Sequence, residues 1–140
     1  STIPSFTKGL TAKAERRGVS LRQEGLDREI SVLTDPALLG KALRRLLENA
    51  IEASSEGSDA QIFCDRDGKD IVITIVDHGC GMSEEELSRF GEPYWSGKAQ
   101  GLGRGDYLAK RELALIDASV EVRSAPRRGT TIAIRIGGAR

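Results

Sequence analysis

Asp70-Ile71-Val72-Ile73-Thr74-Ile75-Val76-Asp77, running straight into His78-Gly79-Cys80-Gly81, decides how the chain folds. Its β-branched run predicts a strand over 70–77. Ile71, Ile73 and Ile75 alternate with Val72, Thr74 and Val76. Both faces are largely apolar, so the strand is expected in the centre of its sheet. Asp67-Gly68-Lys69 precedes it as a turn and Ala60 to Arg66 reads as a second strand, giving an antiparallel hairpin.

Outward on the N-terminal side, Thr34-Asp35-Pro36 punctuates the chain. Asp35 can cap a helix whose first position is Pro36, where the missing N–H costs nothing. Leu39, Ala42, Leu43, Leu46, Leu47 and Ala50 share one face of that helix. Lys41, Arg45, Glu48 and Glu52 lie opposite and Asn49 is at the border, with the end near Ser54. Before it, Val19 to Glu24 and Glu29 to Leu33 read as strands of a hairpin turning at Gly25-Leu26-Asp27. Ser5 to Arg17 is helix-compatible through Phe6, Leu10 and Ala14, and Gly18 ends it.

On the C-terminal side, seven glycines fall between His78 and Gly105, a loop of the kind that carries function. A short helix is expected over Ser83 to Arg89, with Ser83 and Glu86 at capping-box spacing. A longer one is expected from about Gly105 to Asp117, then strands Ser119 to Ser124 and Thr130 to Ile136 around Pro126-Arg127-Arg128-Gly129. Strand pairs alternating with helices predict a two-layer α/β sandwich: a mixed, mostly antiparallel sheet of about five or more strands with about three helices on one face.

The 140 residues fit one domain, and 39% apolar with 30% charged is ordinary for a soluble fold. Lys plus Arg and Asp plus Glu are each 21, which argues against a general binder of nucleic acid or anionic membrane. The longest strongly apolar run, Ile71 to Val76, is too short to span a bilayer. Cys64 and Cys80 fit no metal or redox spacing. A cytosolic-type domain is the expectation, with no direct membrane contact.

Four local features carry candidate chemistry, each weak alone. Asn49 is either a solvated helix position or an oxygen ligand for Mg²⁺. Asp77, at a strand end, can accept from an exocyclic amine while Gly79 and Gly81 let backbone pass close to a flat ring; an ordinary turn would read the same. Glu92-Pro93-Tyr94-Trp95-Ser96-Gly97-Lys98 sets aromatics beside a hydroxyl and an ammonium, as a lid, a docking surface or a cluster pinning the loop. Gly101-Leu102-Gly103-Arg104-Gly105 opens a helix, where free N–H groups suit phosphate, although it is neither a P-loop nor a dinucleotide fingerprint.

Taken together and in this order, the four features resemble the N, G1, F and G2 boxes of the ATP-binding catalytic domain of sensor histidine kinases. That group also includes DNA gyrase, Hsp90 and MutL-type ATPases. Gly129-Thr130-Thr131-Ile132 resembles the last adenine-side motif, so the likeness covers nearly the whole of residues 1–140, without the family's dimerisation and phosphoacceptor domain.

The resemblance implies ATP and Mg²⁺ as cofactors, with Asn49 on the metal and Asp77 accepting from adenine N6. Gly79, Gly81 and Thr130 would shape the base slot. Lys98 and Ser96 would reach the terminal phosphates, and Gly101, Gly103 and Gly105 would wrap them. It further implies transfer of the γ-phosphoryl group to a histidine on a separate helical domain, with a response regulator downstream and a cytoplasmic location. The sequence departs from the family at Arg45, where Asn is usual, and at Arg104 and Asp106, where Leu is usual. The guanidinium of Arg45 offers charge to phosphate in place of metal coordination. A degenerate domain used for protein interaction, and an anti-sigma-type serine kinase with Glu48 as base, are the rival readings. His78 is expected at the rim of the base slot.

Overall fold

The isoleucine run forms the middle of the sheet. The computed structural model describes residues 6–25, 35–88 and 103–137. These form α1 (Leu10–Arg16), β1 (Ser20–Glu24), α2 (Pro36–Ala53), β2 (Asp59–Asp67), β3 (Asp70–Asp77), α3 (Glu84–Ser88), α4 (Gly103–Leu115), β4 (Ser119–Ser124) and β5 (Thr130–Gly137). The sheet order is β1-β2-β3-β5-β4, parallel between β1 and β2 and antiparallel elsewhere. β3 is therefore third of five, as two apolar faces require.

Side chains directly opposite in the sheet form rungs on its helix-covered face. Cys64, Ile73, Ile134 and Val120 make one rung, and Ile62, Ile75, Ile132 and Val122 the next. α2 lays Leu39, Leu43, Leu46, Leu47, Ala50 and Ile51 into the same core. α1 adds Leu10 and Ala14 from its side, Phe6 joins them from the segment before it, and α4 adds Ala109 and Leu113. Ile73 is fully buried at the centre, so truncating it to Ala would cost about 2–5 kcal/mol.

α2 starts as the sequence predicts. Asp35 Oδ1 accepts from the backbone N–H of Ala37 at 3.0 Å and of Leu38 at 3.2 Å, with Pro36 in the first turn. Two helix starts move. α1 begins at Leu10, not Ser5, because Gly9 takes a left-handed φ of 81° at its N-cap. Phe6 still reaches the core from outside the helix. α4 begins at Gly103, two residues before the expected start. Among the described residues β1 has an unexpected partner: it pairs in parallel with β2, from Ser20 opposite Asp59 to Glu24 opposite Phe63. The strand expected over 29–33 lies outside the described residues.

Candidate functional site

One rung differs from those beneath it. Across β2, β3, β5 and β4 it reads Ala60, Asp77, Thr130, Ser124. The apolar ladder thus ends in a carboxylate flanked by a methyl group and two hydroxyls, on the face that the helices cover. Both long helices bring an end to this rung. Ser54, just past α2, pairs with Gly79 in an isolated bridge. β4 starts at the remote edge, Ser119 opposite Arg135, and runs to Ser124 opposite Thr130. α4 enters β4 from that remote edge, so the N-terminus of α4 lies at the Asp77 end. α2 and α4 are antiparallel, so the positive end of the α4 dipole lies at the same end of the sheet as the polar rung.

Asp77 is 8% exposed. Its Oδ1 accepts the Gly79 N–H at 3.0 Å, folding the chain back at the strand end. The glycines that follow answer to the protein's own backbone. A Cβ on Gly79 would collide with the Ala53 carbonyl, and one on Gly81, at φ 68°, with the Ala125 carbonyl. The loop is clamped between the end of α2 and the β4–β5 turn. The Arg127 N–H also donates to the Cys80 carbonyl at 2.6 Å. Each of these two positions thus has a reason within the fold for lacking a side chain.

Ser124 was not legible as a site residue. Its Oγ accepts the Met82 N–H at 2.8 Å and lies 2.9 Å from both the Gly129 carbonyl and Thr130 Oγ1. With its proton on Gly129, the hydroxyl accepts from Thr130 and Met82 together. One small side chain thus ties the loop after β3 to the β5 end of the rung.

On α2 the polar residues divide into two stripes. Arg44, Glu48 and Glu52 face α1. Glu48 pairs with Lys13 at 3.3 Å and with Arg44 at 3.2 Å, and Glu52 with Lys13 at 2.6 Å. The Glu52 hydrogen bond holds the Lys13 ammonium above its ordinary pKa, against the cost of partial burial. Arg45 and Asn49, one turn apart, lie on the other stripe. Arg45 Nε meets Glu112 Oε1 of α4 at 2.8 Å, so this stripe faces α4, and Asn49 on it is half-buried. Asn49 shares the α4 side with the approach to the polar rung, and Glu48 does not.

The structure thus assembles Asn49, Asp77, Gly79, Gly81 and Thr130 around one end of the sheet, with Gly103 and Gly105 in the first turn of α4. Lys98, Ser96 and Gly101 lie outside the described residues, as do the side chains of Arg104 and Asp106. His78 turns from the rung: its Nδ1 lies 3.0 Å from Asp59 Oδ1 and 3.1 Å from the Asp59 carbonyl, on the uncovered face of the sheet. It rims a different, shallow hollow with Ser20, Arg22 and Asp59. Cys64 is half-buried under the core, where loss of hydration raises its thiol pKa and keeps it protonated. Among the described residues no three His, Cys, Asp or Glu side chains form a metal cage. A single amide oxygen such as that of Asn49 suits Mg²⁺, which completes its shell with phosphate and water.

Residues 34–139, about three quarters of the chain, match the family described as histidine kinase-, DNA gyrase B-, and HSP90-like ATPase. The chain belongs to this family. ATP is the nucleotide that such membership carries. The chain is similar to sporulation kinase B of Bacillus subtilis, 28% identical over 91% of this chain and 30% of that protein. It is also similar to the sensor protein DegM of a Bacillus species, 31% identical over 91% of this chain and 34% of that protein. It therefore spans about a third of these curated relatives. In fold it resembles the nucleotide-free catalytic domain of the histidine kinase ThkA, with a TM-score of 0.80 at 18% identity over 94% of this chain and 87% of that one. Among the described residues no helix is long and apolar enough to cross a membrane.

Proposed function

We propose that residues 1–140 act as a single domain, the catalytic domain of a sensor histidine kinase. It binds Mg²⁺-ATP and passes the γ-phosphoryl group to a histidine on a separate helical dimerisation domain. A response regulator receives the group afterwards, and the reaction takes place in the cytoplasm. The observation that carries this reading is the polar rung at the meeting point of the α2 C-terminus and the α4 N-terminus.

Asp77 accepts from the adenine amino group, and Thr130, oriented by Ser124, borders the same edge of the base. The first turn of α4, with Gly103 and Gly105, offers N–H groups to phosphate, while Gly101, Ser96 and Lys98 come from the segment leading into it. Asn49 would hold Mg²⁺ through its amide oxygen, and the metal would neutralise charge on the phosphates when bound. Phosphoryl transfer needs positioning and charge stabilisation more than a strong base in this domain. Glu48, already engaged by Lys13 and Arg44 on the α1 side, is badly placed to serve as one. That geometry weighs against the serine-kinase reading.

Calorimetric titration with ADP, with Mg²⁺ and with chelator, tests the proposal. Tighter binding with Mg²⁺ is expected in the native chain. In Asn49→Ala that gain should vanish while the melting temperature stays within a few degrees. A native chain that binds no nucleotide would leave the degenerate interaction module as the better reading.

A further inference from the structure

The pair Arg45–Glu112 joins the middle of α2 to the far part of α4 across 67 positions of sequence. The Glu112 side chain is 13% exposed and that of Arg45 38%. Loss of Arg45 would leave the mostly buried Glu112 carboxylate without this partner, while the guanidinium itself stays partly in water. It is the one ion pair that Arg45 makes among the described residues. Glu112 stands nine residues after Gly103, about 13 Å down the helix from its N-terminus, the end nearer the polar rung. A guanidinium held there is not at the phosphate-facing turn.

We propose that Arg45 and Glu112 clasp α4 against α2, and so set where the α4 N-terminus stands relative to Asn49. Arg45 is then a positioning residue for the triphosphate, not its ligand. The inference rests on the nucleotide reading given above. It separates the two ends of the ligand. The base end is held by sheet register and by the bonds of Asp77 to Gly79 and of Ser124 to Met82, all within the sheet and its loops. The phosphate end depends on how two antiparallel helices are pinned together.

The test titrates the chain with adenosine and, separately, with Mg²⁺-ATP. Arg45→Ala is expected to weaken Mg²⁺-ATP about tenfold and leave adenosine unchanged, equal to about 1.4 kcal/mol confined to the phosphates. The exchange of Arg45→Glu with Glu112→Arg should recover most of that loss. Recovery would be inexplicable for a direct phosphate contact, since the guanidinium then sits on the other helix. Unchanged ATP affinity in Arg45→Ala overturns the clasp, and so does an exchange that recovers nothing while adenosine still binds. If Arg45→Ala does not fold, Glu112→Gln reads the same question: weaker ATP with intact adenosine supports the clasp, and unchanged ATP refutes it. Failure of the native chain to bind either ligand would instead remove the nucleotide reading itself.

Discussion

Asp77 can be altered in two ways that separate base recognition from folding. Its carboxylate accepts the Gly79 N–H at 3.0 Å in a position 8% exposed, and an ionised carboxylate has capacity for further donors. In Asp77→Asn the amide oxygen can keep the Gly79 bond, but an NH₂ group then replaces the acceptor meant for adenine N6. Two donors face each other. A buried polar group left without its partner costs about 1–3 kcal/mol, so ATP affinity should fall between about fivefold and 150-fold. Guanine presents a carbonyl at that edge, so the native preference for ATP over GTP should shrink or reverse. The melting temperature of Asp77→Asn should stay near that of the native chain. Asp77→Ala also strands the Gly79 N–H, and should lower it by about 4 °C for each kcal/mol lost. Competition of ATP and GTP against a fluorescent nucleotide, alongside thermal melting, measures both effects. If Asp77→Asn melts normally and binds ATP as the native chain does, the carboxylate does not read the base. Equal competition by ATP and GTP in the native chain would refute base reading by Asp77 as well.

Three other contacts can be probed in the same manner. Gly81→Ala drives a methyl group into the Ala125 carbonyl at a left-handed φ and should cost about 1–3 kcal/mol or more, seen as a lower denaturant midpoint; native-like stability would refute the clamp. Ser124→Ala removes the acceptor of the Met82 N–H and should lower stability by about 1–2 kcal/mol and weaken nucleotide binding, whereas Ser124→Thr should retain most of both. The pKa of Lys13 is raised in the folded chain chiefly by Glu52, so its contribution is complete below the unfolded lysine pKa and fades as pH rises through the higher folded value. The stability gap between native and Lys13→Met chains should therefore be largest near neutrality and close at strongly alkaline pH; a gap independent of pH across that range would refute the assignment.

Elements that declare themselves locally were legible in the sequence. The alternation over 70–77, the cap Asp35-Pro36 and the apolar stripe from Leu39 to Ala50 each carry their own period, and the structure follows them. What the sequence did not disclose depends on distant partners. β1 chooses β2 as a parallel neighbour, and nothing in 20–24 encodes a strand that starts at residue 59. Gly79 and Gly81 are recognisable as special, yet the carbonyls that exclude a side chain belong to Ala53 and Ala125. Arg45 reads as a surface charge opposite the apolar stripe until Glu112 arrives from another helix. Ser124 lacks any local signal, because a serine at a strand end is commonplace and its value lies in three bonds made at once. Asp77, by contrast, could be singled out because a carboxylate closing an isoleucine ladder stands out against its own strand.

The parallel pairing of β1 with β2 bears on where the folding unit starts. The family match begins at residue 34, but among the described residues β1 is the edge strand that covers one side of β2, and α1 with Phe6 just before it supplies Phe6, Leu10 and Ala14 to the core. A fragment cut at residue 34 would uncover the backbone of β2 from Asp59 to Phe63 as an open template for another chain. It would also strip the apolar cover from α2 and leave Glu48 and Glu52 without Lys13. The piece that the family model matches is therefore smaller than the folding unit, and the difference includes the first two elements of the chain.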